Sequence, residues 1–377
     1  MKVNTFFNEI HGNFGFGCMR LPMDGDEVNK NEFCKMIDAF LEAGFNYFDT
    51  AHGYINGKSE LAIGECLSKR YDRSEFLLAN KLTGTYFEKQ DDIRPFFENQ
   101  LKWCQVEYFD FYLMHAQGKN NYPKFQACNA YETAYELKKE GKIKHLGLSF
   151  HDRPEVLEQI LNDHPEVEFV QIQFNYADYE DPSVESRRVY EVCEKHNKPV
   201  IVMEPVKGGN LVNLPENANE IIQKLGSGSN ANIAIRYAAG FPQMAVVLSG
   251  MSDLKQLKDN VGVMKEFTPL NETEKEAVEK VQTILQELNV VPCTSCHYCV
   301  EENHCPMNIR IPDMFESLNN FKVFNNKKML GYYEKALIKD EHAKASECIG
   351  CGQCEEVCPQ HLTIREYLKI VAETFEK

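Results

Sequence analysis

Residues 45–71 read FNYFDTAHGYINGKSELAIGECLSKRY. An apolar run of strand length, FNYFDT, stops abruptly at Asp49-Thr50. A glycine-bearing turn follows, and from Lys58 onward apolar residues recur with the helical period. The same strand-then-helix unit appears on both sides of this stretch. Its strand runs are NFGFGCM, EFLLANKL, FDFYLMH, IKHLGLSF, EFVQIQFN, KPVIVMEP and MAVVLSG. Amphipathic segments such as NKNEFCKMIDAFLEAG and ACNAYETAYELKKEGK separate them. Eight such units in about 255 residues match the count and size of a (β/α)8 TIM barrel, an α/β fold class. An open doubly wound sheet is the alternative, but no G-x-G-x-x-G turn follows any strand run.

Polar residues fall at seven successive strand ends: Asp49, Lys81, His115, Ser149, Asn175, Glu204 and Ser249. One such residue alone is commonly a cap or turn residue. Seven in register mark the carboxyl rim, where barrel enzymes do their chemistry. The chain carries 57 acidic against 41 basic residues, a net charge of −16. That balance repels nucleic acid and anionic lipid, so neither is expected as a partner. The first twenty residues lack an apolar segment of signal-peptide length, and no eighteen-residue apolar window occurs, which predicts a cytoplasmic protein.

A reducing compartment makes disulfides an unsuitable use for fourteen cysteines. Six are scattered (Cys18, Cys34, Cys66, Cys104, Cys128, Cys193) and read as small buried hydrophobes. The other eight form two runs, CTSCHYCVEENHCP from Cys293 and CIGCGQCEEVCP from Cys348. Each opens C-x2-C-x2-C and ends Cys-Pro. The second matches the bacterial ferredoxin run, whose fourth cysteine ligates the other cluster; the first has two extra residues before its last cysteine. Zinc sites favour two C-x2-C pairs and would leave the third cysteine of each run unexplained. The spacing thus predicts two [4Fe–4S] clusters. One takes Cys293, Cys296, Cys299 and Cys358; the other takes Cys348, Cys351, Cys354 and Cys305. His297, His304 and His361 lie nearby in sequence, but the cysteines already complete both ligand sets. Helical periodicity between and after the runs predicts a mainly α-helical ferredoxin-like domain over residues 271–377, behind a barrel over residues 1–270.

FDTAHGYINGKSE, LLANKL and DFYLMHA resemble the aldo-keto reductase pattern, and with the cysteine tail the chain resembles the branch carrying a C-terminal 4Fe–4S ferredoxin domain. GCMRLP, MEPVKGG and LSGM are similar to that branch too. The resemblance implies a catalytic tetrad of Asp49, Tyr54, Lys81 and His115. Tyr54 would be the general acid/base, its pKa lowered by the Lys81 ammonium; Asp49 would hold Lys81, and His115 would orient the carbonyl. It also implies NAD(P)(H) as cofactor, with Ser149 and Gln171 on the nicotinamide amide and Met203 in the place of a stacking tyrosine. Glu204, Ser249, Gly250 and Asn260 complete that candidate site, Asn260 in the adenine-contacting place. Gly250 and Gln256 stand where NADPH-using members carry Lys and Arg, so the pattern does not fix NADH against NADPH. No flavin fingerprint is present, although a barrel mouth can bind flavin without one.

Three functional readings stay open. The barrel reduces a small carbonyl substrate while the clusters exchange electrons with ferredoxin or another carrier. Alternatively, the clusters are structural in a plain nicotinamide-dependent reductase. Or the barrel is a scaffold for a non-catalytic electron relay.

Overall fold

The computed structural model describes residues 4–181, 184–288, 290–301, 305–324, 326–339 and 342–376. It divides into two compact units. The first comprises Met1–Glu180, Glu185–Pro205 and Ala234–Leu270; the second comprises Asp181–Val184, Val206–Ile233 and Asn271–Lys377.

The first unit holds a closed parallel barrel of eight strands. These are β1 (Phe14–Gly17), β2 (Tyr47–Asp49), β3 (Leu77–Leu82), β4 (Phe109–Gln117), β5 (Ile143–Phe150), β6 (Phe169–Gln173), β7 (Val200–Met203) and β8 (Met244–Gly250). Each pairs with its sequence neighbours, and β1 closes the ring on β8. The expected fold is therefore present, with all eight anticipated strands.

Side-chain alternation explains where the polar rim comes from. Tyr47, Leu77, Ala79, Phe111, Leu113, Phe169, Ile201, Val246 and Leu248 pack into one buried cluster. One alternation further along the same inward face come Asp49, Lys81, His115, Gln171 and Met203. The apolar plug thus ends where the chemistry begins. Phe169 needs space that only glycine leaves: a Cβ on Gly147 would lie 2.5 Å from its ring. Gly147→Ala is expected to destabilise the barrel by ~1–3 kcal/mol through overpacking, measurable as a lower denaturant midpoint with an unchanged slope.

The second unit is helical. Its principal helices are Glu216–Gln223, Glu272–Glu287, Ile311–Phe324 and Ile364–Phe375. Asn271 opens the second of these with a capping box, its side chain accepting from Glu274 N while Glu274 caps in return. Ile311, Met314, Phe315, Leu318, Leu337, Leu368, Val371 and Phe375 form a core that also contains Cys299, Cys354 and Cys358. Tyr333 stacks on Phe375 at 5.2 Å and receives the Ala345 amide on its hydroxyl. Among the described residues, no helix is long and apolar enough to cross a membrane.

Candidate active site and cysteine motifs

Lys81 is fully buried, and its three ammonium hydrogens are all engaged. They go to Asp49 Oδ1 at 2.6 Å, Thr50 O at 2.8 Å and Tyr54 OH at 3.0 Å. Asp49 Oδ2 accepts from Gln171 Nε2 at 3.1 Å, so both carboxylate oxygens are satisfied. His115 pairs through Nδ1 with Thr83 Oγ1 at 2.6 Å, and its ring meets that of Tyr54 edge-on at 6.4 Å. The four tetrad candidates are thus brought together at one end of the barrel interior.

The electrostatics differ from the sequence expectation in one respect. A neighbouring ammonium was expected to lower the Tyr54 pKa. Instead burial, followed by the Asp49 charge, pushes the phenol well above its ordinary value. Desolvation also lowers Lys81, against the opposing pull of Asp49. Burial, then Lys81, drives His115 well down, which keeps the imidazole neutral. In this enclosed setting, removing water outweighs the pairwise attractions. The result is a phenol that holds its proton beside an ammonium placed to receive the phenolate.

The candidate nucleotide residues are already in use. Ser149 Oγ accepts from Ala116 N at 2.8 Å, and Gln171 is on Asp49. Asn260 Nδ2 donates to Ser249 Oγ at 3.1 Å. Glu204, at φ 56°, pairs with Arg20 at 3.1 Å, and the Arg20 side chain also covers Gly250. Met203 is half-buried at the end of β7.

In the second unit the cysteines ring two cavities. One is lined by Cys305, Cys348, Cys351 and Cys354. The other is lined by Cys293, Cys296, Cys299 and Cys358. Each cavity therefore draws on both sequence runs. Burial pushes the Cys354 thiol up to about 12, with further push from Glu355, Cys348, Cys305 and Cys351. Burial likewise raises Cys299, then Cys296, Cys293 and Cys358, with Cys354 the weakest influence. Among the described residues, no three His, Cys, Asp or Glu side chains converge as a single bound ion would need. Four thiols around each cavity are the donor set that a [4Fe–4S] cluster takes. His297 and His361 flank these motifs, both at positive φ; His304 lies outside the described residues.

The Aldo/keto reductase family model matches residues 13–283. The chain belongs to that family. A second model, for a 4Fe-4S dicluster domain, matches residues 292–363 of this aldo/keto reductase. It is 28% identical over 281 residues to an uncharacterized oxidoreductase, YqkF, of Bacillus subtilis, spanning 66% of this chain and 85% of that one. Among solved structures, the aldo-keto reductase AKR11C1 from Bacillus halodurans (holo form) superposes with a TM-score of 0.61 at 26% identity, over 74% of this chain and 95% of its own. An aldo-keto reductase from Klebsiella pneumoniae in complex with NADPH shares the fold at 17% identity, with a TM-score of 0.58 over 72% and 90% of the two chains. The protein is an oxidoreductase with an iron–sulfur domain.

Several residues of this aldo/keto reductase site escape a motif reading. Thr83, two positions after Lys81, sets the His115 ring. A buried network backs Lys81. Glu60 accepts from His52, Asn80 and Gln100 at 2.6, 2.8 and 3.1 Å, while Asn80 and Gln100 bond the Lys81 backbone N–H and C=O. The only available signal was Glu60 itself, a carboxylate in a helix whose period turns it inward. Cys18, taken as a small hydrophobe, is buried with its amide on Asp49 O, and burial keeps its thiol protonated. Thr83→Val is expected to lower carbonyl turnover about ten- to a hundredfold, as a buried polar group left without its partner costs ~1–3 kcal/mol. Steady-state kinetics should show the loss in kcat with nucleotide KM little changed.

Proposed function

We propose that the barrel reduces a small carbonyl substrate with Tyr54 as general acid, and that two [4Fe–4S] clusters in the helical unit exchange electrons with an external carrier. The observation that carries the first half is Lys81 Nζ bridging Asp49 Oδ1 and Tyr54 OH at 2.6 and 3.0 Å. A bound nicotinamide would supply hydride to the carbonyl carbon, and the clusters would supply single-electron transfer.

The protein's own part is proton and charge control. Tyr54 gives its proton to the carbonyl oxygen as that oxygen becomes negative. Lys81 then faces the phenolate; Asp49 already balances the ammonium, so the phenolate adds one negative charge to the site, which the positive charge of an oxidised nicotinamide would offset. In the tautomer in which Thr83 O–H donates to Nδ1, neutral His115 carries its own hydrogen on Nε2. That hydrogen is the donor for the carbonyl oxygen. Ser149, Gln171, Met203, Glu204, Ser249, Gly250 and Asn260 are the residues that would hold the nucleotide. Relatives described as complexed with NADPH or NADP support a nicotinamide cofactor. Gln171 and Ser149 each serve a protein partner, so binding would share or redirect those hydrogen bonds.

Two quartets of thiols support the clusters: Cys293, Cys296, Cys299 and Cys358, and Cys305, Cys348, Cys351 and Cys354. Cys351 is the exposed member of the eight, and the neighbouring Ile349 is 62% exposed. An electron carrier of ferredoxin type would meet the protein there. A second reading, structural clusters in a plain reductase, is favoured by Cys299, Cys354 and Cys358 lying in the unit's core.

The test is a carbonyl panel with NADH and NADPH, run anaerobically, with iron, zinc and flavin measured on the same sample. Nucleotide-dependent reduction by iron-loaded protein is expected. Zinc in place of iron, or no turnover with either nucleotide, contradicts the proposal.

A further inference from the structure

The segment Val206–Ile233 follows β7 in the chain, yet it folds with the cysteine-bearing unit. Its first turn presses on the first cysteine run. Gly208 sits at φ +64°, and a Cβ there would fall 2.3 Å from Thr294 O and 2.9 Å from Thr294 C and Cα. Neither the conformation nor the space admits another residue without displacement. Two residues on, Asn210 Nδ2 donates to Cys293 O at 2.9 Å. The turn holding these groups is itself closed by backbone bonds: Gly209 and Leu211 N to Val206 O, and Asn210 N to Lys207 O.

The pinned peptides have a chemical role. Thr294 is buried, and Ser295, at φ +52°, directs its backbone N–H onto Cys293 Sγ at 3.4 Å. An N–H donor on a ligating sulfur stabilises the more negative, reduced state of a cluster, so it raises the reduction potential. Whatever fixes the Cys293–Ser295 turn therefore fixes that donor.

We propose that Gly208 and Asn210 are positioning residues for the cluster held by Cys293, Cys296, Cys299 and Cys358. By clamping the Cys293–Ser295 turn, they keep the Ser295 amide on the Cys293 sulfur and so set that cluster's potential. The inference rests on the two-cluster reading above and deepens it. It also gives the glycine pair of MEPVKGG an electronic task. The clamp lies four residues along the chain from Glu204, the residue that follows β7.

The test is anaerobic redox potentiometry of the intact protein, followed by electron paramagnetic resonance, for wild type, Asn210→Ala and Gly208→Ala. A Cys351→Ser variant identifies the signals of the other cluster. In Asn210→Ala, one midpoint is expected to move to more negative potential while the second stays fixed. In Gly208→Ala, the same cluster is expected to move further or to be lost, with iron falling by about half. Unaltered midpoints in both variants overturn the proposal, as does an equal shift or loss of both clusters. If Gly208→Ala fails to fold, Asn210→Ala decides alone. Wild-type protein lacking two clusters would sink the underlying reading; wild type with both and unresponsive variants would sink only this one.

Discussion

Tyr54→Phe is expected to reduce carbonyl turnover by about a hundred- to ten-thousandfold, the usual contribution of a positioned proton donor. The change removes one oxygen and leaves the ring in place. Lys81 keeps its bonds to Asp49 and Thr50, so the site should stay assembled. Nucleotide binding and cluster content should therefore match wild type, which separates a chemical defect from misfolding. The direction of the pKa shifts gives a companion result. Tyr54 is held above its ordinary value, so it carries its proton throughout the neutral range. Lys81 is lowered by burial, so its charge is lost earlier than that of an exposed lysine as pH rises. Reduction should thus be flat through neutral pH and fall on the alkaline side as the ammonium that stabilises the phenolate is lost. A rate rising with pH through neutrality would mark a phenolate base and contradict the assignment of Tyr54 as acid.

Cys358→Ser carries the second large effect, because it separates cross-ligation from two self-contained motifs. Cys358 belongs by sequence to the second run, but it lines the cavity of Cys293, Cys296 and Cys299. Its replacement should deplete the same cluster as Cys296→Ser, removing about half the iron. Cys305→Ser should instead match Cys351→Ser, since those two line the other cavity. Resonance spectra of the four variants, compared pairwise, read this directly. If Cys358→Ser resembles Cys351→Ser instead, the cross-ligated assignment is wrong. Because Cys299, Cys354 and Cys358 lie in the core of the helical unit, either loss should also lower its thermal midpoint.

The barrel was legible because parallel strands buried on both faces make continuous apolar runs, and these end at polar residues. Asp49, Lys81 and His115 stand one alternation beyond Tyr47, Ala79 and Leu113, so the strand period alone aligns them. The grouping of the cysteines around two cavities was legible from the ferredoxin-like spacing, in which the fourth cysteine of each run joins the first three of the other. What the spacing left out is non-local. Gln171 meets Asp49, and Arg20 meets Glu204, across 122 and 184 residues of sequence. Nor could periodicity show that Val206–Ile233 would join the cysteine unit, because its helix Glu216–Gln223 has the same amphipathic character as its barrel neighbours. The direction of the Tyr54 shift was missed for a physical reason. Pairing with Lys81 is visible in the motif, whereas the loss of water around both groups appears only once the barrel closes.

Whether barrel and clusters form one redox circuit is tested most directly by adding NADH or NADPH anaerobically to iron-loaded protein and following the visible absorbance of the clusters. Bleaching is expected with a nucleotide that supports carbonyl reduction, one nicotinamide giving one electron to each of the two clusters and releasing a proton, and it should persist in Tyr54→Phe, where proton donation is removed but electron entry is not. An unchanged spectrum alongside carbonyl reduction would contradict the circuit and leave the clusters as structural elements.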